Sequence, residues 1–222
     1  MFRIKICGIT SVEDAVAVEQ AGADAIGLNF YPKSKRCVSI EQALEIRSAV
    51  SDKVQIVGLF VNMLPADIEL IHDQVNFDWV QLHGDESAVD VKCLKKFTTC
   101  NVMRAFRSKD DWEVEIGKFL HFCELNLTAP DAVLIDGYKE GEYGGTGDVA
   151  DWGSIKRWTR KLEIPNLVLA GGLTPVNVAE AIEFVSPVAV DTASGVESSP
   201  GVKDHQLVHE FVENAAKSFD KM

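Results

Sequence analysis

The chain has 222 residues, 46% of them hydrophobic, and 34 acidic against 22 basic side chains give a net charge of −12. That length suits an α/β barrel, which takes roughly 200–250 residues, while so acidic a chain without a basic patch repels a phosphate backbone and excludes a general nucleic-acid binder. Its longest apolar stretches, residues 54–61 and 167–173, fall well short of the ~20 residues a membrane span needs, so neither nucleic acid nor membrane is expected as a partner.

Short β-branched runs alternate with helical patterns along the whole chain. Residues 3–7 read as a strand and 11–21 as a helix whose free N–H groups Ser11 or Thr10 can cap. Strand and helix follow at 25–29 and 40–50. Residues 55–61 form a third strand, buried on both faces because its apolar run is unbroken, and Pro65 suits the first turn of the helix after it. The pattern continues with 79–82 and 87–97, then 101–105 and 110–125, then 132–135, a Gly-rich loop and 151–162. It closes with 167–170 and 175–184, then 188–191 and an amphipathic helix at 204–219. Eight strand–helix units with no composition break predict a single (β/α)8 TIM barrel, with residues 1–222 as one catalytic domain. A doubly wound open sheet shares the alternation, but the count of eight in this length favours closure.

In such a barrel chemistry gathers where strands end and the following loops begin. Cys7, Asn29 and Asn62 end the first three strands. Gln81 and His83 end the fourth, Arg104 the fifth and Asp136 the sixth. Gly171-Gly172 ends the seventh, and Asp191 with Ser194-Gly195 the eighth. These groups are expected to share one rim. The glycine turns after the last two strands suit a phosphate, because backbone N–H groups can approach an anion closely there. Gly144-Gly145-Thr146-Gly147 lacks the spacing of a dinucleotide fingerprint.

The cysteines, Cys7, Cys37, Cys93, Cys100 and Cys123, are odd in number and include no C-x-x-C pair. With no export signal at the N-terminus, they point to reduced thiols and a cytoplasmic protein. The five histidines include no H-E-x-x-H, and the His205/His209 pair reads as a solvated helix face, so no metal is expected.

Six blocks occur in order: Lys5-Ile6-Cys7-Gly8-Ile9-Thr10, Gln81-Leu82-His83-Gly84, Leu134-Ile135-Asp136, Gly144-Gly145-Thr146-Gly147, Leu169-Ala170-Gly171-Gly172-Leu173 and Asp191-Thr192-Ala193-Ser194-Gly195-Val196-Glu197. From residue 3 to about 204 the chain resembles the phosphoribosylanthranilate isomerase family. The resemblance implies an Amadori rearrangement of N-(5′-phosphoribosyl)anthranilate to 1-(2-carboxyphenylamino)-1-deoxyribulose 5-phosphate, in tryptophan biosynthesis and with no cofactor. It implies Cys7 as general base, Asp136 as general acid and Arg36 as the ligand of the anthranilate carboxylate. Gly171, Gly172, Ser194 and Gly195 would hold the phosphate, and His83 and Asp191 match substrate-pocket positions.

The residue types suit that chemistry. A carboxylic acid can protonate the ring oxygen, and a thiolate can then take the C2′ proton of the imine. Lys5 beside Cys7, or the helix beginning near Thr10, is expected to favour the thiolate. One departure lies in Ser34-Lys35-Arg36-Cys37-Val38, where the family has proline before the arginine and tyrosine after it.

Rival barrels fit less well. An indole-3-glycerol phosphate synthase calls for catalytic lysines at strand ends. A histidine-pathway isomerase calls for aspartates where this chain has Cys7 and Arg104. A dual-substrate phosphosugar isomerase and a non-catalytic phosphosugar-binding subunit are the remaining alternatives, and the last predicts loss of the acid or the base. The expected partner is a small phosphorylated substrate, and the protein itself is compatible with a monomer or a homodimer.

Overall fold

The computed structural model describes residues 1–108, 111–137, 151–159 and 166–222. Eight parallel strands close on themselves: β1 (Ile4–Cys7), β2 (Ala25–Asn29), β3 (Gln55–Phe60), β4 (Trp79–Leu82), β5 (Asn101–Arg107), β6 (Ala132–Asp136), β7 (Leu167–Leu169) and β8 (Ala189–Thr192). Lys5 closes the ring in register with Ala25 on one side and Asp191 on the other. Outside run α1 (Val12–Ala21), α2 (Ile40–Ala49), α3 (Pro65–Val75), α4 (Ala88–Phe97), α5 (Trp112–Leu125), α6 (Trp152–Thr159), α7 (Val178–Val185) and α8 (His205–Phe219). This is the predicted (β/α)8 barrel.

Local chemistry sets the helix boundaries. Ser11 accepts the N–H of Asp14 at 3.1 Å, and Gly22 ends α1 in the left-handed region at φ 91°. Ser39 and Ser87 open α2 and α4 as reciprocal capping boxes. Pro65 occupies the first turn of α3, where its missing N–H costs nothing. None of the described helices is long and apolar enough to cross a membrane.

The strands bury both faces. One cluster packs between strands and helices, and a second fills the barrel with Phe2, Val57, Trp79, Met103, Leu134 and Val168 among others. Side chains alternate along a strand with period two. On β1, Ile4 and Ile6 therefore face the helices, and Lys5 and Cys7 face inward. The same alternation turns Leu59, Gln81, Asp136 and Asp191 into the barrel, above the apolar floor.

One element was absent from the sequence reading. After β8, a 3-10 turn at Ser194–Val196 leads into β9 (Glu197–Ser199), which pairs antiparallel with β10 (Val202–Lys203). Gly201 turns this hairpin at φ 88°, and its carbonyl accepts the Thr10 hydroxyl at 2.6 Å. The hairpin is thereby tied to the loop ahead of α1.

Candidate active site

A cleft opens at the C-terminal end of the strands. Every residue to which the family resemblance gave a site role lines it. Cys7 comes from β1, Arg36 from the loop after β2 and His83 from just beyond β4. Asp136 comes from β6, Gly171 and Gly172 from the turn after β7, Asp191 from β8, and Ser194 and Gly195 from the turn after that strand. Asn29 and Gln81, also named as strand ends, lie there too, with Ser34, Leu59 and Thr192 completing the wall.

Two other expected rim residues are elsewhere. Met103 and Ala105 face the barrel interior, so Arg104 between them faces out. Its buried guanidinium donates to the carbonyls of Glu86 at 3.0 Å, Gly84 at 3.1 Å and Leu82 at 3.3 Å, and also to that of Ala105. It lies 4.6 Å from the centre of the Phe106 ring. Arg104 thus clamps the loop after β4 and lines no part of the cleft. Asn62, with φ 53°, gives its N–H to Glu86 and its side chain to Asp85. The block 144–147 lies outside the described residues.

Three ionisable groups meet on the β1–β8 side. Lys5 is fully buried, and its ammonium donates to Asp191 Oδ1 at 2.9 Å. Burial works against that charge, but Asp191 and then Cys7 outweigh it, so the lysine pKa lies above its ordinary value. Burial pushes the Asp191 carboxyl up by more than Lys5 restores. Burial likewise pushes the Cys7 thiol up, Lys5 opposing and Asp191 reinforcing the shift. The expectation that Lys5 favours the thiolate holds in sign, and burial exceeds it.

Across the cleft, Gln81 donates its amide N–H to His83 Nδ1 at 2.7 Å. With Nδ1 accepting, a neutral ring carries its hydrogen on Nε2. That atom stands 3.2 Å from Asp136 Oδ2, though out of line for a hydrogen bond. His83 therefore faces the carboxyl proposed to act as the acid.

The third cluster lies behind Arg36. Glu197 accepts Nε and one terminal nitrogen of Arg36, each at 2.7 Å, and also receives Lys203 Nζ at 2.9 Å. Burial pushes the Glu197 carboxyl up, but these donors outweigh it and hold it below its usual range. The sequence reading placed Glu197 at the end of its last block without a role and did not name Lys203. The glycines after β7 and β8 are needed for close approach: a Cβ on Gly171 would sit 2.0 Å from Gly137 N, and one on Gly195 1.9 Å from Leu173 O. Among the described residues, no group of three or more His, Cys, Asp or Glu side chains is arranged to hold a metal ion.

Residues 4–214 match the family described as PRAI, N-(5'phosphoribosyl)anthranilate (PRA) isomerase. The chain is 43% identical over 210 residues to the N-(5'-phosphoribosyl)anthranilate isomerase of Pseudomonas fluorescens, covering 95% of this chain and 96% of that one. Among solved structures it is similar to phosphoribosyl anthranilate isomerase from Thermotoga maritima, at TM-score 0.84 and 40% identity over 98% of this chain and 100% of that one. It is also similar to a phosphoribosyl anthranilate isomerase in complex with reduced 1-(o-carboxyphenylamino)-1-deoxyribulose 5-phosphate, at TM-score 0.81 and 37% identity with the same coverage.

Proposed function

The chain belongs to the N-(5'-phosphoribosyl)anthranilate isomerase family, and from that membership we propose how its own residues divide the reaction. The enzyme converts N-(5′-phosphoribosyl)anthranilate to 1-(2-carboxyphenylamino)-1-deoxyribulose 5-phosphate, an Amadori rearrangement in tryptophan biosynthesis. Asp136 gives a proton to the furanose oxygen, and the ring opens to the C1′ imine. Cys7, as thiolate, then removes the C2′ proton. The resulting enolamine tautomerises to the ketone, and each transfer is ordinary general acid–base chemistry needing no cofactor.

The observation that carries this division is the placement of Cys7 and Asp136 on β1 and β6, with β7 and β8 between them on the ring. A substrate lying across the mouth meets the acid on one wall and the base on the other. The turns after β7 and β8 offer backbone N–H groups to the phosphate, with Ser194 beside them. Arg36, on the other side of β1, takes the anthranilate carboxylate, which the guanidinium fork suits. His83 and Asp191 contact the sugar between these ends. The whole of residues 1–222 serves as one catalytic domain. Five free thiols support the reading of a cytoplasmic protein.

The test is steady-state kinetics of Cys7→Ser and Asp136→Asn on freshly made substrate, followed by anthranilate fluorescence. Each should lower kcat by about 10²–10⁴-fold with KM little changed, as expected on losing a general acid or base. A Cys7→Ser protein within a few fold of the unaltered enzyme would make the thiol structural.

A further inference from the structure

Arg36, read above as the ligand of the substrate carboxylate, grips a carboxylate of the protein itself, that of Glu197. An arginine–glutamate pair alone is neutral and a poor receptor for an anion. Lys203 changes the balance. Its side chain is fully buried, it contacts Glu197 Oε1 at 2.9 Å, and its second contact is the carbonyl of Ala193 at 3.0 Å. Burial lowers the Lys203 pKa and Glu197 opposes that shift, so among the described residues Arg36 and the ammonium of Lys203 bind the same carboxylate. Asp14, the next carboxylate along, takes the backbone N–H of Lys203 at 3.1 Å and pairs with the His205 ring at 2.9 Å.

We propose that Glu197 and Lys203 are positioning residues that make Arg36 a receptor for the anthranilate carboxylate, Glu197 by fixing the guanidinium plane and Lys203 by leaving the cluster net positive. The proposal rests on the reading of Arg36 as the carboxylate ligand.

The architecture accounts for the fixing. Glu197 and Lys203 are directly paired residues on β9 and β10, so the hairpin presents both side chains together. The Arg36 backbone N–H donates to Ser34 Oγ at 3.1 Å, which holds the chain at the other end of the side chain. Its aliphatic part crosses Gly8, where a Cβ would lie 2.4 Å from Arg36 Cδ. Backbone, stem and fork are therefore each held by a different loop. An arginine so held loses little rotamer freedom when the substrate arrives, and a pre-ordered fork binds a planar carboxylate more tightly than a mobile one. Ala193 adjoins Ser194 in the proposed phosphate turn, so Lys203 also ties the carboxylate end of the cleft to the phosphate end.

The experiment compares kcat/KM for N-(5′-phosphoribosyl)anthranilate with that for N-(5′-phosphoribosyl)aniline, which lacks only the carboxylate. A merely structural role would affect both substrates alike, so the readout is their ratio. Arg36→Ala should collapse the ratio, and Lys203→Met and Glu197→Gln should each lower it at least tenfold, through KM on the carboxylate-bearing substrate. If Arg36→Ala leaves the ratio intact, the underlying reading of Arg36 fails. If Arg36→Ala collapses it but both other variants keep the ratio of the unaltered enzyme, the proposal is overturned. Glu197→Asp keeps the charge and shortens the reach. It should lower the ratio in smaller measure, and it decides the matter in the same way if the larger changes do not fold.

Discussion

Replacing Lys5 by methionine removes one half of a buried ion pair and keeps most of the side-chain volume. The pair is 2.9 Å long, with the lysine side chain 0% and the aspartate side chain 8% exposed. Asp191 would be left with a charge that burial opposes. Breaking such a pair from one side costs ~3–5 kcal/mol. At ~2–4 °C per kcal/mol for a chain of this size, the midpoint should fall by roughly 6–20 °C. The cost also has a pH signature. Lys5 is the largest influence holding the Asp191 pKa down against burial, so the variant raises that folded-state pKa further. A carboxyl with a raised folded pKa contributes stability below its unfolded value of about 3.9 and loses it as pH rises through the folded value. The deficit of Lys5→Met should therefore be smallest in acid and grow toward neutrality. Adding Asp191→Asn should restore much of the loss, because no buried charge then stands alone. Urea unfolding followed by tryptophan fluorescence, from pH 4 to 8, measures all three quantities. A loss under ~1 kcal/mol, a deficit flat with pH, or a double variant no more stable than the single one would refute the reasoning.

Burial raises the Cys7 pKa, and the base acts deprotonated, so kcat/KM should climb with pH through a limb above the ordinary thiol range. That limb should vanish in Cys7→Ser and move to higher pH in Lys5→Met. Gly27→Ala would place a Cβ 2.7 Å from Cys7 Sγ, 3.0 Å from Cys7 Cα and 3.1 Å from Lys5 Cε. Overpacking of this kind costs ~1–3 kcal/mol, and because the thiol must shift, kcat should drop at least tenfold; an active, fully stable variant would contradict the contact. Dialysis against EDTA should leave activity unchanged, and a loss reversed by a divalent ion would overturn the cofactor-free mechanism.

Much of the barrel was legible in the sequence because its signals are local. Ser11, Ser39 and Ser87 cap helices three residues ahead of the N–H groups they accept, and Pro65 marks a helix start by its own geometry. The site was legible for a related reason: barrel closure brings the ends of all eight strands to one rim. Arg104 shows where that reading was too coarse. It was read as a strand end, but β5 runs on to Arg107, and the apolar neighbours Met103 and Ala105 already claimed the inward parity. The short hairpin β9–β10 escaped notice because three residues facing two carry no periodicity to read, although Ser199-Pro200-Gly201 is a turn signal.

The order and kind of the barrel's strands and helices, its closure, and the cleft residues Cys7, Arg36, His83, Asp136 and Asp191 were in the sequence. Tertiary structure alone decided their partners. Lys5 reaches Asp191 across 186 positions of chain, and Arg36 reaches Glu197 across 161. No local propensity encodes contacts at such separations. They exist because ring closure sets β1 beside β8 and folds the last hairpin over the loop after β2. The balance between burial and charge that sets the proton affinity of Cys7 exists only once those neighbours are in place.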